Sequence, residues 1–176
     1  MRVLIVGSGA REHAIAWKLS MSPKVDQVFV APGNAGTRTF ATNLPISAKD
    51  IATLAMAAKR YGIDLTVVGP EGPLADGIVD RFQQLDLQIF GPSRDSARIE
   101  SSKVFARELM RRHDIPSPEF KVFHAYTDGY EFLSKHEGPI VVKADGLAAG
   151  KGAFVCRDRE AAINALYDCM EDRIFG

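Results

Sequence analysis

Residues 3–9 read VLIVGSG, four apolar residues closed by a glycine, a serine and a second glycine. An apolar run without polar alternation is typical of a strand buried on both faces of a parallel sheet. The glycines indicate a tight turn, and residues 12–19 then show the apolar content of a helix. The stretch therefore predicts the opening strand, turn and helix of an α/β domain.

The same strand and helix pattern recurs along the first part of the chain. Further strands are predicted at 25–31, 65–68 and 87–90, with helices at 48–61 and 74–85. Four strands that alternate with helices predict a doubly wound α/β domain with a parallel sheet.

Beyond about residue 100 the pattern changes, which indicates a second structural segment. A charged helix is predicted at 102–112, and Pro116 and Pro118 then interrupt the chain. The rest is predicted as strands at 119–123, 139–143 and 153–156, and helices at 128–135 and 159–170.

The composition and the distribution of charged and apolar residues indicate which partners and which cellular location to expect. Lys plus Arg and Asp plus Glu both total 22, so the net charge is zero and no overall field favours nucleic acid or a membrane. The apolar run at the start is too short for a signal peptide or a membrane span, so we expect a cytoplasmic protein. Cys156 and Cys169 lack zinc-site spacing, and the scattered histidines likewise predict no metal site.

The turn Gly7–Glu12 is the first candidate binding loop. A strand ends and a helix begins there, so the backbone amides and the helix dipole can bind an anion. Arg11 is expected to be exposed beside them. Binding of a nicotinamide dinucleotide is disfavoured, because Glu12 stands where the third glycine of that motif belongs and Ala31-Pro32-Gly33 brings no acidic ribose partner. A tight turn without a ligand is the alternative.

Two more loops follow predicted strands, at 32–37 (PGNAGT) and 69–73 (GPEGP). Considered alone, each loop has the glycine, proline and asparagine residues of an ordinary turn without a ligand. Because the carboxyl ends of parallel strands meet at one edge of the sheet, all three loops are expected to face one crevice.

The stretch KADGLAAGKG at 143–152 is a further candidate binding loop, in the second segment of the chain. A lysine ends an apolar strand, and a glycine-rich loop with a second lysine, Lys151, leads into another strand, an arrangement able to close over phosphates. It is not a P-loop, because the glycine spacing is short by one residue and Gly152 stands where serine or threonine should bind magnesium. A hairpin with solvated lysines is the alternative, although Lys143 on a strand expected to be buried would need a partner.

Together the motifs resemble those of the phosphoribosylamine-glycine ligases. GSGAREHA at 7–14, PGNAGT at 32–37, GPEGPLADGIVD at 69–80 and KADGLAAGKG at 143–152 occur in the family's order. Ala10 stands where many relatives carry glycine, and Gly72 where alanine is usual.

The resemblance implies a Rossmann-like substrate domain at 1–101, the start of an ATP-grasp core at 102–121, and part of the small ATP-grasp lid subdomain at 122–176. The implied reaction joins glycine to 5-phosphoribosylamine at the expense of ATP, with Mg²⁺ or Mn²⁺. The family's metal ligands and C-terminal domain would follow Gly176, so we expect no metal ligands in this chain and a fragment that is inactive alone. A non-catalytic nucleotide or phosphoribosyl binding module is the alternative.

The resemblance also implies site residues, although no catalytic nucleophile is assigned. Lys103 and Lys143 resemble the two lysines that contact the ATP phosphates. The lid over the phosphates would comprise Gly146, Leu147, Ala148, Ala149, Gly150, Lys151 and Gly152. The phosphoribosylamine side would include Gly9, Arg11, Asn34, Gly36 and Glu71.

Overall fold

A computed structural model describes residues 1–148 and 150–175 of the chain. By its internal contacts the chain divides into two compact units, Met1–Arg98 and Ile99–Gly176. No helix in the described part of the chain is both long and apolar enough to cross a membrane.

The first unit contains a parallel five-stranded sheet. Its strands are β1 (Arg2–Gly7), β2 (Gln27–Pro32), β3 (Thr42–Asn43), β4 (Leu65–Val68) and β5 (Ile89–Phe90), in the order β3-β2-β1-β4-β5. The chain runs outward from β1 to β3 and then returns to β4 on the other side of β1, so the order reverses at the centre. The predicted α/β parallel-sheet class is confirmed.

Helices cover both faces of this sheet: α1 (Ala10–Ser20), α2 (Ile51–Arg60), α3 (Glu71–Ala75) and α4 (Ile78–Gln83), followed by α5 (Arg94–Ser101). Alternate residues of β1 enter separate cores. Leu4 lies in one with Leu54 and Phe82, whereas Ile5 lies in the other with Ala16. Burial on both faces explains why β1 has no polar alternation.

Three details of the first unit differ from the sequence-based expectation. The helix predicted at 74–85 is two helices, because Gly77 adopts a left-handed conformation with φ of 87° between α3 and α4. The strand β3 has only two residues, too few to give a periodic pattern. The helix α5 was not predicted, since only Ala97 of its residues is buried and it has no long apolar stripe.

The second unit is built on one antiparallel strand pair. It contains α6 (Lys103–Arg112), α7 (Tyr126–Lys135), β6 (Ile140–Lys143), β7 (Ala153–Cys156) and α8 (Arg159–Met170). The strands pair with Val141 opposite Val155 and Lys143 opposite Ala153. Leu133, Cys156 and Leu166 form the core between the sheet and the two later helices.

Two expectations for the second unit are wrong. Residues 119–123 form no strand; Phe123 packs against Phe132 of α7 instead, and the Lys121 ammonium lies 4.3 Å from the centre of the Phe132 ring. Lys143 is exposed and not buried, because β6 and β7 pack helices on one face only. The other face leaves Val155 80% exposed.

Candidate functional site

Three loops meet at the carboxyl edge of the first unit's sheet. The register aligns Val6 with both Ala31 and Val68, so the loops after β1, β2 and β4 begin at the same level. Gly33 donates a backbone hydrogen bond of 3.1 Å to the Gly7 carbonyl. The expectation that these loops share one edge is confirmed, and the reversal of strand order at β1 and β4 is where such sheets bind ligands.

The buried carboxylate of Glu12 joins two of these loops. Its Oε2 accepts a 2.7 Å hydrogen bond from the Gly9 amide, and only 3% of the residue is exposed. Gly7 and Gly69 flank the carboxylate so closely that a β-carbon on either would lie 2.5 Å from a Glu12 carbon atom. The glycines are therefore required by Glu12 as well as by the turn.

Arg11 is the exposed cation of this edge. Its Nε donates to Glu12 Oε1 at 3.1 Å and its NH2 group to Glu71 Oε2 at 3.4 Å, while 60% of its side chain remains exposed. The hydrogen bond to Glu12 above all raises the pKa of Arg11, which burial alone would lower. The guanidinium stays charged, is positioned by two carboxylates and still faces solvent.

Asn34 fixes the loop after β2. Its Oδ1 accepts from the Gly36 and Thr37 amides at 2.9 and 3.1 Å, and its Nδ2 donates to the Ser8 carbonyl at 3.0 Å. Gly36 in turn faces the His13 ring, which a β-carbon at position 36 would strike. Asn34 thus links the loop after β2 to the loop after β1.

The amides of Gly9 and Gly36 donate to Glu12 and Asn34, so neither is free to bind an anion, although the sequence predicted this role for amides of the turn Gly7–Glu12. In the part of the chain that the structure describes, the Ala10 and Arg11 amides at the start of α1 have no acceptor. These two amides and the Arg11 guanidinium can therefore face an anionic group at this edge.

In the second unit, a glycine-rich loop joins β6 to β7. Its base is closed by a 2.9 Å hydrogen bond from the Ala144 amide to the Gly152 carbonyl, and Lys151 donates its amide to Ala148 at 2.9 Å. Gly146 and Gly150 have φ of 92° and 78°, values that side chains rarely allow. Lys151 is exposed, whereas Ala149, also predicted as a lid residue, lies outside the described residues.

Lys103 contacts this loop directly. Its ammonium donates a 2.7 Å hydrogen bond to the Gly146 carbonyl. The neighbouring Asp145 carboxylate accepts from the Val104 amide at 3.2 Å and from Ser102 Oγ at 3.1 Å. The structure therefore brings Lys103 to the loop that follows Lys143.

The charge of Asp145 is held by its surroundings. Burial by itself raises the pKa of this carboxyl, but hydrogen bonds from the Val104 and Gly146 amides and the Ser102 hydroxyl outweigh it and hold the pKa below the usual range. Asp145 is therefore a carboxylate at neutral pH.

Lys143 lies on the open face of the β6 and β7 pair. Val141 is two residues before it on the same face, and Val155 pairs with Val141 across the strands. Val141 is 48% exposed. The face thus presents an apolar patch with a cation at the end nearest the glycine loop, and Lys143 has no ion pair among the described side chains.

Several residues of these sites were not predicted from the sequence. The motif comparison predicts no role for Glu12, although an acidic residue three positions after a helix cap is a capping signal that identifies it. Asp145 binds a helix that begins 42 residues earlier, which no local pattern encodes. Val141 and Val155 looked like ordinary strand residues.

The described residues supply no metal site. Across 1–148 and 150–175, no group of three or more His, Cys, Asp or Glu side chains is placed to hold an ion.

Comparison with known proteins gives the family. The model described as phosphoribosylglycinamide synthetase, N domain, matches residues 1–100, and the model of the same enzyme's ATP-grasp (A) domain matches residues 101–176. The phosphoribosylamine-glycine ligase of Chlorobaculum tepidum is 48% identical over 180 residues, covering 100% of this chain and 42% of the relative.

Solved structures agree with the sequence comparison. A crystal structure of phosphoribosylamine-glycine ligase from Thermotoga maritima has a TM-score of 0.72 and 32% identity, covering 93% of this chain and 38% of the other. N5-carboxyaminoimidazole synthetase from Staphylococcus aureus, solved with ADP, has a TM-score of 0.73 at 15% identity, covering 94% and 44%, and shows likeness of fold alone. With two family models that together span residues 1–176, the chain belongs to the phosphoribosylglycinamide synthetase family.

Proposed function

We propose that the chain serves the ATP-dependent ligation of glycine to 5-phosphoribosylamine in purine biosynthesis. The observation that carries the proposal is the open face of the β6 and β7 pair, where Lys143 adjoins an apolar patch at the base of a glycine loop. It occurs in residues that match the ATP-grasp domain of the family.

The proposed chemistry has two steps. A glycine carboxylate oxygen attacks the γ-phosphorus of ATP, which forms glycyl phosphate and releases ADP. The amine of 5-phosphoribosylamine then attacks the glycyl carbonyl carbon, displaces phosphate, loses a proton and gives glycinamide ribonucleotide. Neither step requires a protein nucleophile, so positioning and neutralisation of phosphate charge are the protein's task.

The second unit has the features that an ATP site needs. The Val141 and Val155 side chains offer an apolar surface for the adenine base. Lys143 and Lys103 supply positive charge for the phosphates, and we assign the glycine loop between β6 and β7 to cover them. We infer that Lys103 exchanges its Gly146 carbonyl for a phosphate oxygen when nucleotide binds.

The first unit has features that suit a phosphoribosyl ligand. We assign Arg11 and the free first-turn amides of α1 to the phosphate group, because Arg11 is both exposed and held by Glu12 and Glu71. Gly9, Asn34 and Gly36 shape the loops around it, since their polar groups bond within the protein. Their role is to position the binding groups.

The chain spans about 42% of the length of the curated relatives that it matches. Magnesium would enter with ATP, and the described residues offer no ligand set for it. A cytoplasmic location belongs to the same proposal. It is supported by the free thiols of Cys156 and Cys169, as expected in a reducing compartment.

Nucleotide binding is tested on the 176-residue chain by calorimetric titration with MgATP. We expect Lys143→Ala to weaken binding at least about tenfold, the effect of losing one charged hydrogen bond to phosphate. Lys135→Ala is the matched control, because Lys135 lies in the same unit and pairs with Glu131 on the surface of α7. Equal affinities of the wild type and Lys143→Ala would contradict the assignment.

Ligation is tested on the native gene product, captured with antibodies against residues 1–176. Its intact mass is compared with the 19.2 kDa of this chain, and it is assayed for glycine-dependent formation of glycinamide ribonucleotide. We expect a larger mass and a product whose formation requires ATP and 5-phosphoribosylamine. Nucleotide binding without any product would favour a non-catalytic binding module.

A further inference from the structure

Asp145 joins two segments of the second unit that are far apart in sequence. One carboxylate oxygen accepts the Val104 amide at 3.2 Å and the other accepts the Ser102 hydroxyl at 3.1 Å. Ser102 is itself the N-cap of α6, since its Oγ accepts from the Phe105 amide at 3.1 Å. The start of α6 is thus bound to the start of the glycine loop.

A second bond runs in the opposite direction between the same segments. Lys103 extends from the first turn of α6 and donates to the Gly146 carbonyl at 2.7 Å. Gly146 has a left-handed backbone with φ of 92°, so a side chain at this position would be strained. Asp145 and Lys103 therefore link α6 and the loop by hydrogen bonds in both directions: the loop carboxylate accepts from α6, and the α6 lysine donates to the loop.

We propose that Asp145 is a positioning residue of the nucleotide site, which holds the glycine loop and Lys103 in one arrangement before nucleotide binds. This inference rests on the function proposed above, because Lys103 and the loop are its ATP-phosphate groups. When a nucleotide phosphate replaces the Gly146 carbonyl as the partner of the Lys103 ammonium, the hydrogen bonds of Asp145 keep the loop beside α6. Lys103 can then move without loss of the loop's position.

A purely helix-capping role is the competing explanation, and Asp158 shows what such a role looks like. Asp158 caps α8 from the adjacent residue, and its carboxylate accepts the Ala161 amide at 2.9 Å. Asp145, in contrast, reaches a helix that already has Ser102 as its cap. Capping alone therefore does not account for a carboxylate supplied by the loop.

The experiment compares Asp145→Ala and Asp145→Asn with Asp158→Ala in the 176-residue chain. Amide hydrogen exchange of Val104 and Gly146 is measured by NMR without nucleotide, and the Kd for MgATP by titration well below the melting temperature. We expect Asp145→Ala to speed exchange and to raise the Kd by about tenfold to a hundredfold, as for loss of hydrogen bonds to a charged group. Asp145→Asn keeps one acceptor and should recover part of the affinity.

The control separates positioning from stability. Asp158→Ala removes the cap of α8, so it should lower the melting temperature while leaving the Kd and the exchange of Val104 and Gly146 unchanged. If Asp145→Ala binds MgATP as tightly as the wild type, this inference is overturned and the proposed function stands. If the Kd follows melting temperature alike in all variants, Asp145 is a structural cap only. A wild-type chain that binds no MgATP overturns both proposals.

Discussion

Gly69 packs directly against the carboxylate of Glu12. A β-carbon at position 69 would lie 2.5 Å from Glu12 Cδ, whereas a β-carbon at Gly72 would meet nothing within 4 Å. Both glycines follow β4, yet only Gly69 is constrained, because Glu12 is buried and already bonded to Gly9 and Arg11. Close contact with Glu12 explains why glycine occurs both at the end of β1, as Gly7, and directly after β4, as Gly69.

Gly69→Ala should therefore destabilise the first unit by about 1–3 kcal/mol, the usual cost of overpacking a well-packed site. Gly72→Ala is the control and should stabilise it by about 0.5–1 kcal/mol, since Gly72 lies inside α3 and alanine is the better helix former. Urea unfolding followed by Trp17 fluorescence measures both. Equal effects of the two substitutions would show that Glu12 moves aside freely.

Thr66 and Thr37 are fully buried threonines with opposite bonding. Thr66 Oγ1 has no hydrogen-bond partner among the described residues, whereas Thr37 Oγ1 lies 2.9 Å from the Asn34 carbonyl and 2.8 Å from Asn43 Oδ1. We expect Thr66→Val to raise the free energy of unfolding by about 1 kcal/mol, because a buried unpaired hydroxyl is lost.

Thr37→Val is the matched substitution and should lower the free energy of unfolding by about 1–3 kcal/mol, because it leaves the groups around Asn34 unpaired. Denaturant unfolding of the two variants, each compared with the wild type, gives the signs. A loss of stability in Thr66→Val would mean that its hydroxyl is bonded in solution.

The sequence predicted the fold well where hydrophobic patterns are long, and the sites less well. The strands β1 and β4 were predicted because their burial depends on local apolar runs, and β7 and α8 matched to the residue. The exposure of Lys143 was not predicted, because it depends on how many layers cover the β6 strand. A local sequence pattern carries no information about that.

The candidate binding loops show the same limit. The three loops at the sheet edge follow from topology, so the position of Arg11 was predictable. The use of the Gly9 amide by Glu12 depends on a side chain folding back into the turn. Likewise, the hydrogen bond from the Val104 amide to Asp145 forms only in the tertiary fold of the second unit.

The lowered pKa of Asp145 predicts an acid-dependent loss of stability in the second unit. A depressed carboxyl pKa contributes stability that is present above the ordinary value near 3.8 and is lost as the pH falls through the lowered value. Denaturant unfolding at pH values from neutral to the acid limit, followed at NMR signals of α6, should show a smaller acid loss in Asp145→Asn than in the wild type. If stability falls equally with pH in both proteins, the hydrogen bonds of the Asp145 carboxylate do not depend on its charge.

Asn34 offers a test that separates stability from ligand binding in the first unit. Asn34→Asp keeps the oxygen that accepts the Gly36 and Thr37 amides but replaces the donor to the Ser8 carbonyl by a negative oxygen. Asn34→Ala loses all three bonds. We therefore expect alanine to destabilise the unit by about 1–3 kcal/mol and aspartate to destabilise it less.

Binding of glycinamide ribonucleotide, the stable product of the proposed reaction, should show the reverse order. A carboxylate at position 34 adds negative charge near the groups assigned to the ligand's phosphate, so Asn34→Asp should bind more weakly than Asn34→Ala. Denaturant unfolding and calorimetric titration of the two variants provide the comparison, and the difference in binding should shrink at high salt because screening weakens exposed charges. If binding follows stability in both variants, Asn34 lies away from the phosphate and only supports the loop.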